Sequence, residues 1–170
     1  MIRTELLKYF ADMRVYYEGY HTHKEVSAWA AIALQVVFVF GVLQGLSDWS
    51  DTISRFAQVV VTHLIAVFSI MMLWYVFIQS QLQRTASDYV SACHQLEAEL
   101  LNTKDSDFRP DNYPLRLDSS AADRVLPEIL RQRAAEFRKS RCSCGRWLDW
   151  LRYLAVLIIG ATAIIEVWLL

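Results

Sequence analysis

Three apolar runs of about the length a helix needs to cross a bilayer constrain this chain more than anything else in it: Ala28–Leu46, Ala57–Gln79 and Tyr153–Leu170. A helix needs roughly 20 residues to cross ~30 Å of hydrocarbon. None of the runs holds Lys or Arg, and their one carboxylate is Glu166. In lipid, every backbone N–H and C=O must be paired within its own segment, so such runs are helices. The chain is 170 residues long. Little is left for a separate enzyme domain, and the expected fold class is an all-α, polytopic membrane protein with three spans and a cytoplasmic helical layer.

Charge placement sets an orientation. The loop between the first two runs carries Arg55 against Asp48 and Asp51, and 16 of the 17 basic residues lie before Ala28 or from Arg84 to Arg152. The positive-inside rule therefore puts the N-terminus and the segment Gln79–Arg152 in the cytoplasm, and Leu170 outside the inner (plasma) membrane. Trp29, Trp49, Trp74, Trp147, Trp150 and Trp168 fall near the ends of the runs, where an indole suits the headgroup layer. The first 27 residues carry eight charges and no short uninterrupted apolar core, so a cleaved signal is not expected. A net charge of −1 argues against direct nucleic-acid binding.

Outside the runs, two helical stripes stand out. Ile2, Leu6, Phe10, Met13, Tyr17 and Tyr20 recur at spacings of three and four, which marks an amphipathic helix over 1–27 that can run into the first span. Leu82, Ala86, Tyr89, Cys93, Leu96 and Leu100 form a heptad seam, so the second span should continue as a helix to about Asn102. The seam needs a partner, either the N-terminal stripe of the same chain or the same helix of a second copy. Pro110, Asn112 and Pro114 then read as loop. Helix resumes near Asp118–Ser120, and Pro127 either kinks that helix or starts another. Residues 97–123 carry seven acids and three bases, while 127–152 carry seven bases and three acids. The two halves can fold on each other, or Arg131, Arg138, Lys139 and Arg141 can hold an anion or inner-leaflet lipid.

Polar groups within the runs are the candidate functional residues: Gln35 and Gln44, Thr62, His63 and Ser69, Thr162 and Glu166. An amide or imidazole in hydrocarbon faces another helix or a water path. Hydrogen bonding between helices is the plain reading for Gln35, Thr62 and His63. Together with Gln44 and Glu166 they also fit the lining of an oligomeric pore, with His63 as a gate because imidazole changes charge near neutral pH. Gly41 and Gly45 form a small-xxx-small pair that allows close helix approach. Tyr20 and His21, in the cluster Tyr16–His23, pack at the membrane interface or cap a pore mouth. No phosphate loop, G-x-S-x-G or H-E-x-x-H occurs, so neither an enzyme nor a cofactor is expected. Cys93, Cys142 and Cys144 lack the usual zinc spacing, and no metal is expected.

The segment Tyr16-Tyr17-Glu18-Gly19-Tyr20-His21-Thr22-His23-Lys24-Glu25, followed by a span with Trp29, resembles the entry to the first membrane helix of SLATT-type proteins. Those are small bacterial membrane proteins of antiphage systems. The likeness covers residues 5–101 and departs at the third run, since the usual pattern has two spans. The resemblance implies a pore-forming or membrane-disrupting effector, silent until a cytosolic partner or nucleotide signal releases it. The expected function is thus an oligomeric effector or channel that permeabilises the inner membrane. The competing class is a non-conducting anchor that recruits a soluble protein through residues 82–146.

Overall fold

The computed structural model describes residues 3–48, 54–104, 107–113, 127–140 and 147–169. Ile2, Trp49, Asp51, Pro114, Asp118–Ser120, Arg141, Cys142, Cys144 and Leu170 lie outside those residues. Four α-helices and one 3₁₀ turn, Pro110–Asn112, make up the described regular structure, with no strand among it. They are α1 (Arg3–Ser47), α2 (Arg55–Asn102), α3 (Glu128–Ser140) and α4 (Trp147–Leu169). Three of them, α1, α2 and α4, are long and apolar enough to cross a membrane.

The helix ends follow local chemistry. At the start of α2, the Ser54 hydroxyl accepts from the Ala57 N–H at 3.2 Å, an N-cap. At its end, the Thr103 hydroxyl donates to the Glu99 carbonyl at 2.7 Å. Pro127 precedes α3 and its carbonyl accepts from Leu130 and Arg131, so proline starts a helix here rather than kinking one. Glu128 stands in the first turn of α3 and Arg138 and Lys139 in the last, which matches the helix dipole. Gly19 does not stop α1. It is exposed, with nothing within 4 Å of where a Cβ would lie.

The chain folds as two units. One is Met1–His23 with Leu82–Cys142, the other Lys24–Gln81 with Ser143–Leu170. In the first unit, the two sequence stripes meet. Leu6, Phe10 and Tyr17 of α1 are buried in one cluster with Ala86, Tyr89, Ala92, Cys93, Leu96 and Leu100 of α2, and Ile129, Leu130 and Ala134 of α3 close it. Tyr17 stacks on Tyr89 with ring centroids 4.7 Å apart. The seam of α2 thus has its partners within the chain. The charge-sorted halves meet here too. Arg133 of α3 pairs with Glu99 of the acidic half at 3.0 Å, and Arg138 reaches the buried Asp88, which precedes that half, at 3.5 Å. On α1, Arg14 pairs with Glu97 at 3.3 Å, and Arg3 donates to the Leu100 and Leu101 carbonyls near the end of α2. Burial, with Glu97 nearby, pushes the Cys93 thiol up to about 12.

The second unit holds three apolar helix segments. Its interior has two clusters, Ala28, Ala31, Ile32, Val76 and Val156, then Val39, Leu46, Ile65, Ala163 and Val167. All five described tryptophans are exposed on this unit. Its outer surface is otherwise mostly aliphatic and aromatic, which is the polarity expected where lipid is the solvent.

Two outcomes follow. Gly19→Ala should stabilise the protein by about 0.5–1 kcal/mol and so raise its thermal midpoint, because it removes backbone freedom at a helical position with room for a methyl group. The buried thiol of Cys93 contributes stability that is complete below its ordinary value of 9.0 and is lost as pH rises from there through about 12. An alkaline unfolding titration should therefore show less loss over that window for Cys93→Ala than for the parent.

Candidate functional site

Polar side chains inside an apolar helical unit are costly, so each must have a partner or a use. Gln35 is the central one. It projects from α1 between the two apolar clusters and is 0% exposed. Its Nε2 donates to the Ser69 hydroxyl of α2 at 3.1 Å and to the Val156 carbonyl of α4 at 3.0 Å. One amide thereby ties three helices together. Gly160, one turn beyond Val156, makes room for it. A Cβ there would lie 2.5 Å from Ser69 Oγ and 3.6 Å from Gln35 Nε2. The Oε1 of Gln35 is buried without a hydrogen-bond partner, as are Thr62 Oγ1, Gln79 Oε1 and Ser80 Oγ.

A second node is ionic. Arg152 of α4 is only 2% exposed. Its guanidinium donates to Asp149 at 3.5 Å and to Glu25 of α1 at 3.2 Å, and it lies 5.4 Å from the centre of the Trp29 ring. Two carboxylates and an aromatic face replace the water that the cation loses. This node ties α4 to α1 one helical turn before Val156. Arg152 stands just outside the third apolar run, and sequence reasoning does not single it out. The signal that could have found it is the Asp149/Arg152 spacing of three in a helix, with Glu25 and Trp29 four apart on α1.

The other candidate residues lie elsewhere. Gln44, His63 and Glu166 are exposed on the outside of the apolar unit. His63 Nδ1–H donates to the Val59 carbonyl of its own helix at 2.7 Å. Thr62 is half-buried. Gly41 and Gly45 have nothing within 4 Å of where a methyl group would stand, and within the chain the tight glycine contact is at Gly160. In the first unit, Tyr20 packs half-buried against the core. His21 Nε2 lies 3.3 Å from the Gln83 amide, beside an open cleft of about 250 Å³ lined by Glu18, His21, Thr22, Ser87 and Val90. Tyr89, Leu96 and Leu100 are buried in the first core and Leu82 is half-buried. Arg138 faces Asp88 with its side chain largely exposed, Arg131 is half-buried, and Lys139 is exposed.

Comparison with protein-family models, with curated proteins and with solved structures finds no match for this chain.

Both nodes can be checked by unfolding in detergent. Gly160→Ala should lower the thermal midpoint, and Ser69→Ala in the same chain should recover part of the loss, because the clash is with the Ser69 hydroxyl. Arg152→Met removes the cation facing buried Asp149 and should cost about 3–5 kcal/mol. Arg138→Met removes an exposed guanidinium but leaves Asp88 buried, and should cost less than Arg152→Met.

Proposed function

We propose that this protein is an oligomeric membrane effector, whose copies assemble through the outer faces of the apolar unit to permeabilise the inner membrane. The observation that carries it is the outward placement of Gln44, His63 and Glu166. A polar side chain exposed to hydrocarbon gains by facing a like helix or water. All three occur on a unit whose own polar interior is filled by other residues. The open faces at Gly41 and Gly45 fit the same reading, since they leave a helix surface that a neighbour can approach closely. So does α2, whose most apolar window is only 11% buried, against 28% for α1 and for α4.

In this reading the N-terminus and the first unit face the cytoplasm, and the first unit receives the signal. The resemblance to SLATT-type proteins implies the same arrangement and a role in antiphage defence. The anchor alternative would need a surface other than the α2 seam, which is packed against α1 and α3.

Reconstitution separates the readings. In proteoliposomes with a potassium gradient, the parent should hold the gradient until a cytosolic extract supplies the signal, and then dissipate it. His63→Ala and Glu166→Gln should change that flux with membrane abundance unchanged, whereas Gln35→Leu should lower abundance. A strictly monomeric protein by native mass measurement, with no flux under any cytosolic extract, would exclude the effector.

A further inference from the structure

Within the apolar unit, α2 and α4 leave a groove of about 530 Å³ between them, continuous with the exposed apolar surface. That volume is within the ~300–1,000 Å³ typical of ligand pockets. Every residue lining it is apolar or aromatic. Four are rings, Trp74 and Phe77 from α2 with Trp150 and Tyr153 from α4, and Leu73 and Leu157 add aliphatic wall. The rings form one run. Trp74 and Phe77 are stacked with centroids 5.9 Å apart, Phe77 lies 6.2 Å from Tyr153, and Tyr153 meets Trp150 edge to face at 6.2 Å. Trp74 and Trp150 are 64% and 65% exposed, so the run is open to an occupant. It also carries three donors, the two indole N–H groups and the Tyr153 hydroxyl. None of the three has a hydrogen-bond partner among the described residues.

What the groove selects follows from what surrounds it. An alkyl chain gains little by leaving the lipid tails, because the tails are as apolar as leucine. The groove offers two things that tails do not: ring faces and hydrogen-bond donors. A cation also favours ring faces, but no carboxylate lines the groove to offset its desolvation. A neutral, flat, conjugated ring with carbonyl acceptors uses both offers, stacking on the run and accepting from an indole or the phenol. We infer that this groove binds a lipid-soluble ring of that kind, the chemistry of a quinone, which enters sideways from the bilayer with its apolar tail left among the lipid chains. Trp74, Phe77 and Tyr153 are the residues that hold the ring. The inference rests on α2 and α4 being membrane spans. It does not rest on assembly or on ion flux.

The test uses the full-length protein in phosphatidylcholine nanodiscs, titrated with decylubiquinone and followed by tryptophan fluorescence, which a bound quinone quenches. Quenching of the parent should saturate, above the linear loss caused by partition into the bilayer. Phe77→Leu keeps every tryptophan but removes one ring, and should weaken binding about two- to tenfold. Tyr153→Phe keeps the ring and removes a donor, and should weaken it by about the same factor. Trp168→Phe, outside the groove, should leave the affinity unchanged, and n-decanol should not displace the probe. Linear quenching, the same in parent and Phe77→Leu, overturns the site. Displacement by n-decanol overturns the choice of a ring over a chain, and unchanged affinity in Tyr153→Phe overturns the carbonyl acceptor. Saturation that is lost when copies assemble gives the groove to a second copy and overturns the inference as well. Because binding and not potassium flux is read, failure here and failure of the effector reading are told apart.

Discussion

A polar group that leaves water must find its partner inside the protein, and this constraint organises the apolar unit. Backbone groups meet it by forming helices. Side chains meet it by reaching between them, and only a few geometries allow that. Gln35 satisfies it with one nitrogen that serves a hydroxyl on α2 and a backbone carbonyl on α4. Apolar packing alone would hold three such helices together but would let them slide and rotate, since one aliphatic contact is much like another. A hydrogen bond that fails at a displacement of an ångström gives them a register.

Arg152 adds direction to that register. It holds α4 to α1 through Glu25 and Trp29, while Asp149 supports it from its own helix. Glu25 is 42% exposed on its side chain, so the node is half open on the α1 side and closed on the α4 side. The net contribution of such a group to stability is small when intact and large when broken, because the desolvation of the cation is recovered only by its partners. Two specific contacts, four residues apart on α4, thus set the position of a helix whose further buried residues include Gly160, Ala163 and Val167.

How much of this is legible in sequence depends on whether a feature is periodic. The two stripes are legible because burial repeats every three or four residues, and the first unit uses Leu6, Phe10, Tyr17, Tyr89, Leu96 and Leu100 in that pattern. The extent of α2 to Asn102 follows from the same repeat. The partner of the seam does not, since a heptad says that a helix is covered and not by what. Intramembrane polar residues are visible as exceptions, but sequence does not divide them into inward and outward, because a helix in lipid has apolar residues on both faces. Gly41 and Gly45 stand out and Gly160 does not, since a glycine repeat is a pattern whereas one glycine opposite Ser69 is a tertiary fact.

That division between faces is what gives the polar residues different consequences. An inward group such as Gln35 fixes the fold of one copy, and a change there is felt first as lost stability. An outward group such as His63 or Glu166 does nothing for the single copy and so is available to whatever meets that face. The lining of an assembly between copies, as proposed, must come from the second set, because the first is already enclosed.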